Sequence, residues 1–336
     1  MKTKRVLALT LVLAMAVSLV AYKSGEAAQA PRDYEYPEMR LRAGFQTMEN
    51  SGYVQGIKQL SDKLSEITGG KITIETFSDG VLGSEVELIE FVSMGSLDIC
   101  VTSTSPMANY VQEFFTFDLP YLVTDLKHAH VVMDGPLGRE LLDKLLDIGI
   151  YGMALWDNGF RHFSASTRRV TNLSELSGFK IRVMENELHQ RLWTMLGAYA
   201  TPMSVGEVIT AIQQGTIDGQ ENPLNAIISM GVYEVLRYIA LTGHVYTAGL
   251  VSMNQGLWDG FSPEVKAAFN EAIVYATAWE RDYIANWELE ARDFLEEQGL
   301  EIYEIDITDW AAAVSGIYDV YADRVHPALV QALRGE

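Results

Sequence analysis

Between Pro263 and Gly299 the chain holds neither proline nor glycine. Ser262-Pro263-Glu264 opens the stretch as a helix start, because proline in a first turn lacks only an N–H that would go unbonded there anyway. Val265, Phe269, Ala272, Ala276, Trp279, Tyr283 and Trp287 then recur every three or four residues, the spacing of one helical face. Such a helix extends about 50 Å at 1.5 Å per residue. That is long for one small domain, and it predicts a strut running across two. Its aromatic residues read as core rather than as a stacking platform. With 336 residues, nearly half of them apolar, the chain can fill two ordinary domains.

Upstream the pattern is α/β. Residues 41–45 read as a strand. A helix follows over 51–68, with Tyr53, Ile57, Leu60, Leu64 and Ile67 on one face and Gly69-Gly70 as its stop. Residues 71–77 alternate like a strand. Ser84 and Glu87 form a capping box for a short helix ending at Gly95, and 97–102 is the next strand. The order returns around 150–155 and 180–183. Such alternation argues for an α/β fold with mixed, mostly parallel sheets. No repeat, low-complexity tract or Gly/Ser linker divides the chain, so two domains would have to be joined by more than one crossing segment.

The first thirty residues differ. Lys2, Lys4 and Arg5 precede an uncharged apolar run over 6–20, and small residues follow at 27–30. A basic start, an apolar centre short for a bilayer and a small-residue end make a secretory signal peptide over 1–30. Tyr22 stands where a lipoprotein needs a cysteine. The formal net charge is −20, and removal of 1–30 takes away four basic residues and one acidic residue, leaving −23. A surface so acidic repels nucleic acid and anionic membranes. Cys100, the single cysteine, has no intrachain disulfide partner and reads as a small buried hydrophobe.

Arg182 is the first candidate for chemistry. It sits inside the apolar strand pattern of 180–183, where an arginine is poorly placed unless an anion meets it. Its planar fork matches a carboxylate with two parallel hydrogen bonds, which lysine cannot do. Arg161 follows an Asn158-Gly159 turn that would put it at a strand end, where ligands meet α/β sheets. Asn222 closes a loop before Pro223, which holds its backbone extended and partly fixes its amide. The six histidines show no metal spacing, and none of the GxSxG, GxxxxGK or GxGxxG motifs occurs. Nothing in the chain proposes an enzyme, a metal or a cofactor.

Five stretches together carry a family resemblance: GGKITIETFSDGVLGSEVELIE (69–90), DLPYLV (118–123), WDNGFRHF (156–163), LSGFKIRV (176–183) and PMSVGEVITAIQQGTIDGQENPL (202–224). The chain resembles the solute-binding proteins of tripartite ATP-independent periplasmic (TRAP) transporters, of the DctP-like type, over nearly its whole length after residue 40. The resemblance implies a two-domain clamp, residues 31–158 plus 248–287 forming one domain and 159–247 plus 288–336 the other. A small organic acid, a C4-dicarboxylate or a sugar acid, would bind in the cleft of a periplasmic monomer. The acid would then pass to the small and large membrane subunits. Arg182 would pair with the ligand carboxylate, aided by Arg161 and Asn222. Secondary pocket positions map to Gln46, Ser103, Val205 and His244. Sialic-acid-binding members have glutamate at the position of Ser103 and phenylalanine at that of Val205, which implies a more open and less charged space here. A periplasmic sensor for the same acids is the alternative from another class.

Overall fold

The computed structural model describes residues 29–335. The signal-peptide reading of 1–30 therefore lies outside the described residues except at its last two positions. Among the described residues no helix is long and apolar enough to cross a membrane.

One continuous nine-stranded sheet organises the chain. Its strands are β1 (Met39–Gly44), β2 (Ile72–Phe77), β3 (Ile99–Ser103), β4 (Ile150–Ala165), β5 (Lys180–Val183), β6 (Tyr199–Pro202), β7 (Gly219–Asn222), β8 (Tyr238–Asn254) and β9 (Glu301–Tyr303). They lie in the order β2-β1-β3-β8-β4-β7-β5-β6, with β9 added to the start of β8. Pairing within the two flanks is parallel, whereas β4 and β8 run antiparallel to each other through the middle. The end of β8 holds β3, and the end of β4 holds β7. The two long strands are thus the main crossing segments, which local sequence patterns did not expose. Residues 150–155 read as a short strand, and the strand runs on for sixteen residues.

The reason lies at Asn158-Gly159. A turn was expected there, but the pairing shifts register between Asp157 and Gly159, and Gly159 takes φ +125°. This is a β-bulge: one extra residue bends the strand without ending it. Arg161 therefore sits mid-strand opposite Val245, not at a strand end. Asn222 likewise ends a strand, not a loop, paired opposite His162.

The long helix spans Pro263–Glu297, 35 residues, with Ser262 as its side-chain N-cap. The first half of the expected stripe is buried: Val265, Phe269, Ala272 and Ala276 pack with Ile57, Leu60 and Trp156 beneath the β1–β3 flank. The second half is not. Trp279, Tyr283 and Trp287 are half-buried; Trp279 stacks on Tyr283 with centroids 4.9 Å apart, and Trp287 meets Tyr283 edge-on at 5.6 Å. The inward positions there are Glu280 and Ile284, because the contact face rotates where the helix passes from one flank to the other. Beyond it, Ala291 and Leu295 join Ile227 and Ile239 in the core of the second flank.

The helix Gly52–Thr68 packs closely against this strut. A Cβ at Gly52 would lie 2.5 Å from Ile284 Cδ1, and one at Gly56 would lie 2.6 Å from the Trp156 ring. Glycine at i and i+4 is what lets the backbone approach. The opposite face of the sheet is covered by a larger cluster that includes Phe114, Phe163, Trp193, Trp310 and Leu329. Cys100 is buried there without a partner.

Candidate functional site

The carboxyl ends of β1, β3, β5 and β7 converge on one cleft. Within each flank the parallel strands end on the same side. The two flanks run in opposite directions across the antiparallel β8 and β4, so those ends point toward each other and leave loop residues to line the crevice. Gln46 follows β1, Ser103 ends β3, Arg182 lies in β5, Val205 follows β6 and Asn222 ends β7; all five line the cleft. The N-terminus of the Gly52 helix and that of the capped helix Glu85–Ser93 open onto it as well. The positive ends of their dipoles favour a negative ligand. The two walls already touch, since Gln46 Nε2 donates to Ser204 Oγ at 2.6 Å.

Arg182 is 4 % exposed, and its Nε donates to the Met203 carbonyl at 2.9 Å. Among the described residues neither Nη has a protein acceptor, so the fork itself faces the cleft. Burial, and then the nearby Arg161 charge, bring its pKa down to about 10, against the pull of Glu221 and Glu85. It stays protonated at neutral pH.

Arg161 and His244 do not line the cleft; they lie behind its wall, and Glu221 explains both. The Glu221 carboxylate accepts Arg161 Nε at 2.5 Å, Arg161 Nη2 at 2.8 Å and His244 Nε2 at 3.0 Å. All three side chains are at most 1 % exposed. Burial is the largest effect on Glu221 and would raise its pKa, but Arg161, His244 and His189 together hold it well below the ordinary value. Burial keeps His244 neutral. With Glu221 ionised, His244 Nε2 must carry the proton, and its Nδ1 accepts from Thr242 Oγ1 at 2.8 Å. Arg161 is thus a compensated arginine with one spare donor, the buried Nη1, unpaired among the described residues.

Two acids escaped the sequence reading. Glu221 sits inside the GQEN strand, where four consecutive buried polar or small residues were the available signal. Glu85 lies inside the Ser84–Glu87 capping box, which does form. Yet Glu85 Oε1 accepts Ser103 N at 2.6 Å and Ser103 Oγ at 3.0 Å, and the residue lines the cleft. The space beside Ser103 is therefore not less charged, as the comparison with sialic-acid binders implied, because Glu85 fills it from a neighbouring helix. Burial raises the Glu85 pKa, against those two hydrogen bonds.

A further buried group ties the flanks together. Asp118 Oδ1 accepts Ser105 Oγ and His189 Nε2 (3.0 Å), and its Oδ2 accepts Asn186 Nδ2 at 2.8 Å. All are at most 2 % exposed, which identifies a structural lock rather than an accessible Ser/His/Asp site. Among the described residues no cluster of acidic, histidine and cysteine side chains is arranged to hold a metal.

The profile of bacterial extracellular solute-binding protein family 7, DctP, matches residues 44–324. The chain belongs to this family. A solute-binding protein of Verminephrobacter eiseniae is 34% identical over 88% of each chain. Among solved DctP-type structures, a TRAP periplasmic solute-binding protein of a Polaromonas species bound to D-erythronate is 34% identical, with a TM-score of 0.85. That match covers 88% of this chain and 98% of the other. The sugar-acid-binding DctP of Advenella mimigardefordensis in complex with galactonate is 31% identical, again with a TM-score of 0.85, over 89% and 97%.

Proposed function

We propose that this DctP-family chain captures a small organic acid by its carboxylate on Arg182 and carries it through the periplasm to the two TRAP membrane subunits. The observation that carries the reading is a buried guanidinium whose two Nη groups face a cleft with no protein acceptor among the described residues. An uncompensated buried cation is costly, and an anionic ligand relieves that cost. The Asn222 amide, which lines the same cleft, would complete the anchor, with Arg161 supporting it by its charge from behind the wall. Hydrogen bonds to a charged group are worth about 1.5–3 kcal/mol each, enough in sum for micromolar binding.

In the same reading, residues 31–158 plus 248–287 and residues 159–247 plus 288–336 act as domains that close on the acid. Two of the three internal boundaries fall beside the bulge at Asp157–Gly159, opposite Thr247 and Ala248, and the third lies within the long helix. The chain works as a binder, not a catalyst. Arg182→Ala should abolish carboxylate binding in calorimetry while its circular dichroism spectrum stays that of the parent. Unchanged affinity in a folded variant would sink the assignment.

A further inference from the structure

We propose that Asn225 and Glu288 are positioning residues of the clamp, which couple the filled cleft to the long helix through the Asn158 carbonyl of the hinge bulge. This rests on the proposed closing of two domains at that bulge, and it names the side chains that transmit the motion.

The bulge leaves Asn158 without a counterpart in β8, because Asp157 pairs with Ala248 and Gly159 with Thr247. Asn158 is buried, and a buried carbonyl left unbonded is costly. A side chain supplies the bond that the ladder does not: Asn225 Nδ2 donates to Asn158 O at 2.9 Å. The same Nδ2 gives its other hydrogen to Glu288 Oε2 at 3.2 Å. Glu288 Oε2 also accepts Asn225 N at 3.4 Å, in the first turn of the helix Leu224–Ser229. One residue earlier on β4, Asp157 N donates to the buried Glu280 Oε2 at 3.1 Å. Glu280 and Glu288 both belong to the long helix, and about 12 Å of its axis separates them at 1.5 Å per residue. Two adjacent residues of the bulge are therefore tied to points about two turns apart on that helix.

Asp157, Asn158 and Asn225 line the cleft, whereas Glu288 stands behind it. A simple cap for the short helix would need only the Asn225 N–H. Here the carboxylate also fixes the Asn225 amide, whose two hydrogens are spent on the hinge and on the long helix. When the strand bends at the bulge the Asn158 carbonyl turns, and Asn225 carries that turn to Glu288 or breaks a buried bond. An acid held between the walls confines Asn225, so filling the cleft steadies the long helix at Glu288. Coupling between sites needs a contiguous chain of bonded groups with more than one arrangement, and the bending hinge provides the second.

The test is hydrogen–deuterium exchange with calorimetry on the full mature chain, with D-erythronate and D-galactonate as probes. In the parent, a saturating acid should slow amide exchange at least about tenfold over residues 286–292, which lie outside the cleft lining. Exchange there that ignores the acid overturns the inference without any variant. Glu288→Ala should lose that protection and weaken the acid about tenfold. Glu288→Gln keeps an acceptor oxygen and should stay within about threefold of the parent on both readouts. A merely structural Glu288 would change stability and leave affinity and acid-dependent exchange as in the parent, and that result overturns the inference. So does a Glu288→Gln as impaired as Glu288→Ala. Two separate outcomes remove the underlying reading instead: acid binding that survives Arg182→Ala, and a radius of gyration unaffected by saturating acid.

Discussion

At the scale of single residues, Glu221 decides what the two arginines can do. It neutralises Arg161 inside the protein and leaves Arg182 as the cation that faces the cleft. Glu221→Gln keeps the volume but strands the Arg161 charge where water cannot reach it. The expected cost is about 3–5 kcal/mol of stability, read from urea unfolding at neutral pH. The sign with pH follows from the depressed carboxyl. Its contribution is present above the ordinary value of 4.5 and drains away as pH falls below it, because the unfolded chain takes up the proton first. The gap between parent and variant should therefore shrink when the melts are repeated near pH 3.5. A gap that does not change with pH would mean that Arg161 does not depend on the Glu221 charge.

At the scale of elements, the helix Gly52–Thr68 and the long helix show packing overriding propensity. Alanine in place of an exposed helix glycine gains about 1 kcal/mol. At Gly56 the added methyl would meet the Trp156 ring at 2.6 Å, in a core that transmits strain. Gly56→Ala should then lose about 1–3 kcal/mol, the cost of overpacking, in thermal or denaturant unfolding. A stabilised variant would show that the contact is loose. The same junction explains why the stripe on the long helix was only half legible. Val265 through Ala276 meet a single flank and keep one face inward. From Trp279 onward the helix bridges two flanks, so Glu280 and Ile284 turn inward and the aromatic residues pack on one another along the side.

At the scale of the whole molecule, the sheet is continuous through β4 and β8, so any closing motion must be absorbed by bending those two strands and the long helix that bridges the flanks beside them. The proposed hinge at the Asp157–Gly159 bulge gives that bending a place. Ligand at 100 times its dissociation constant should raise stability by about 2.7 kcal/mol. Solution scattering should report a smaller radius of gyration in the presence of an acid that binds. A radius unaffected by saturating ligand would argue for a rigid, preformed cleft, in keeping with the Gln46–Ser204 contact already made across it.

The sequence by itself determined the local grammar: the helix over 51–68, the capped helix at Ser84, the KIRV strand, the uninterrupted long helix, and Arg182 as an arginine in an apolar strand. These depend on contacts a few residues apart, and spacing records them. Tertiary structure decided the rest. Whether Asn158-Gly159 makes a turn or a bulge depends on whether β8 lies alongside to continue the pairing. Whether Arg161 is free depends on Glu221, sixty residues away on an adjacent strand. Whether the space at Ser103 is charged depends on Glu85, which reaches it from a helix. Charge in a buried site is a sum over neighbours in space, and a sequence lists neighbours only along the chain.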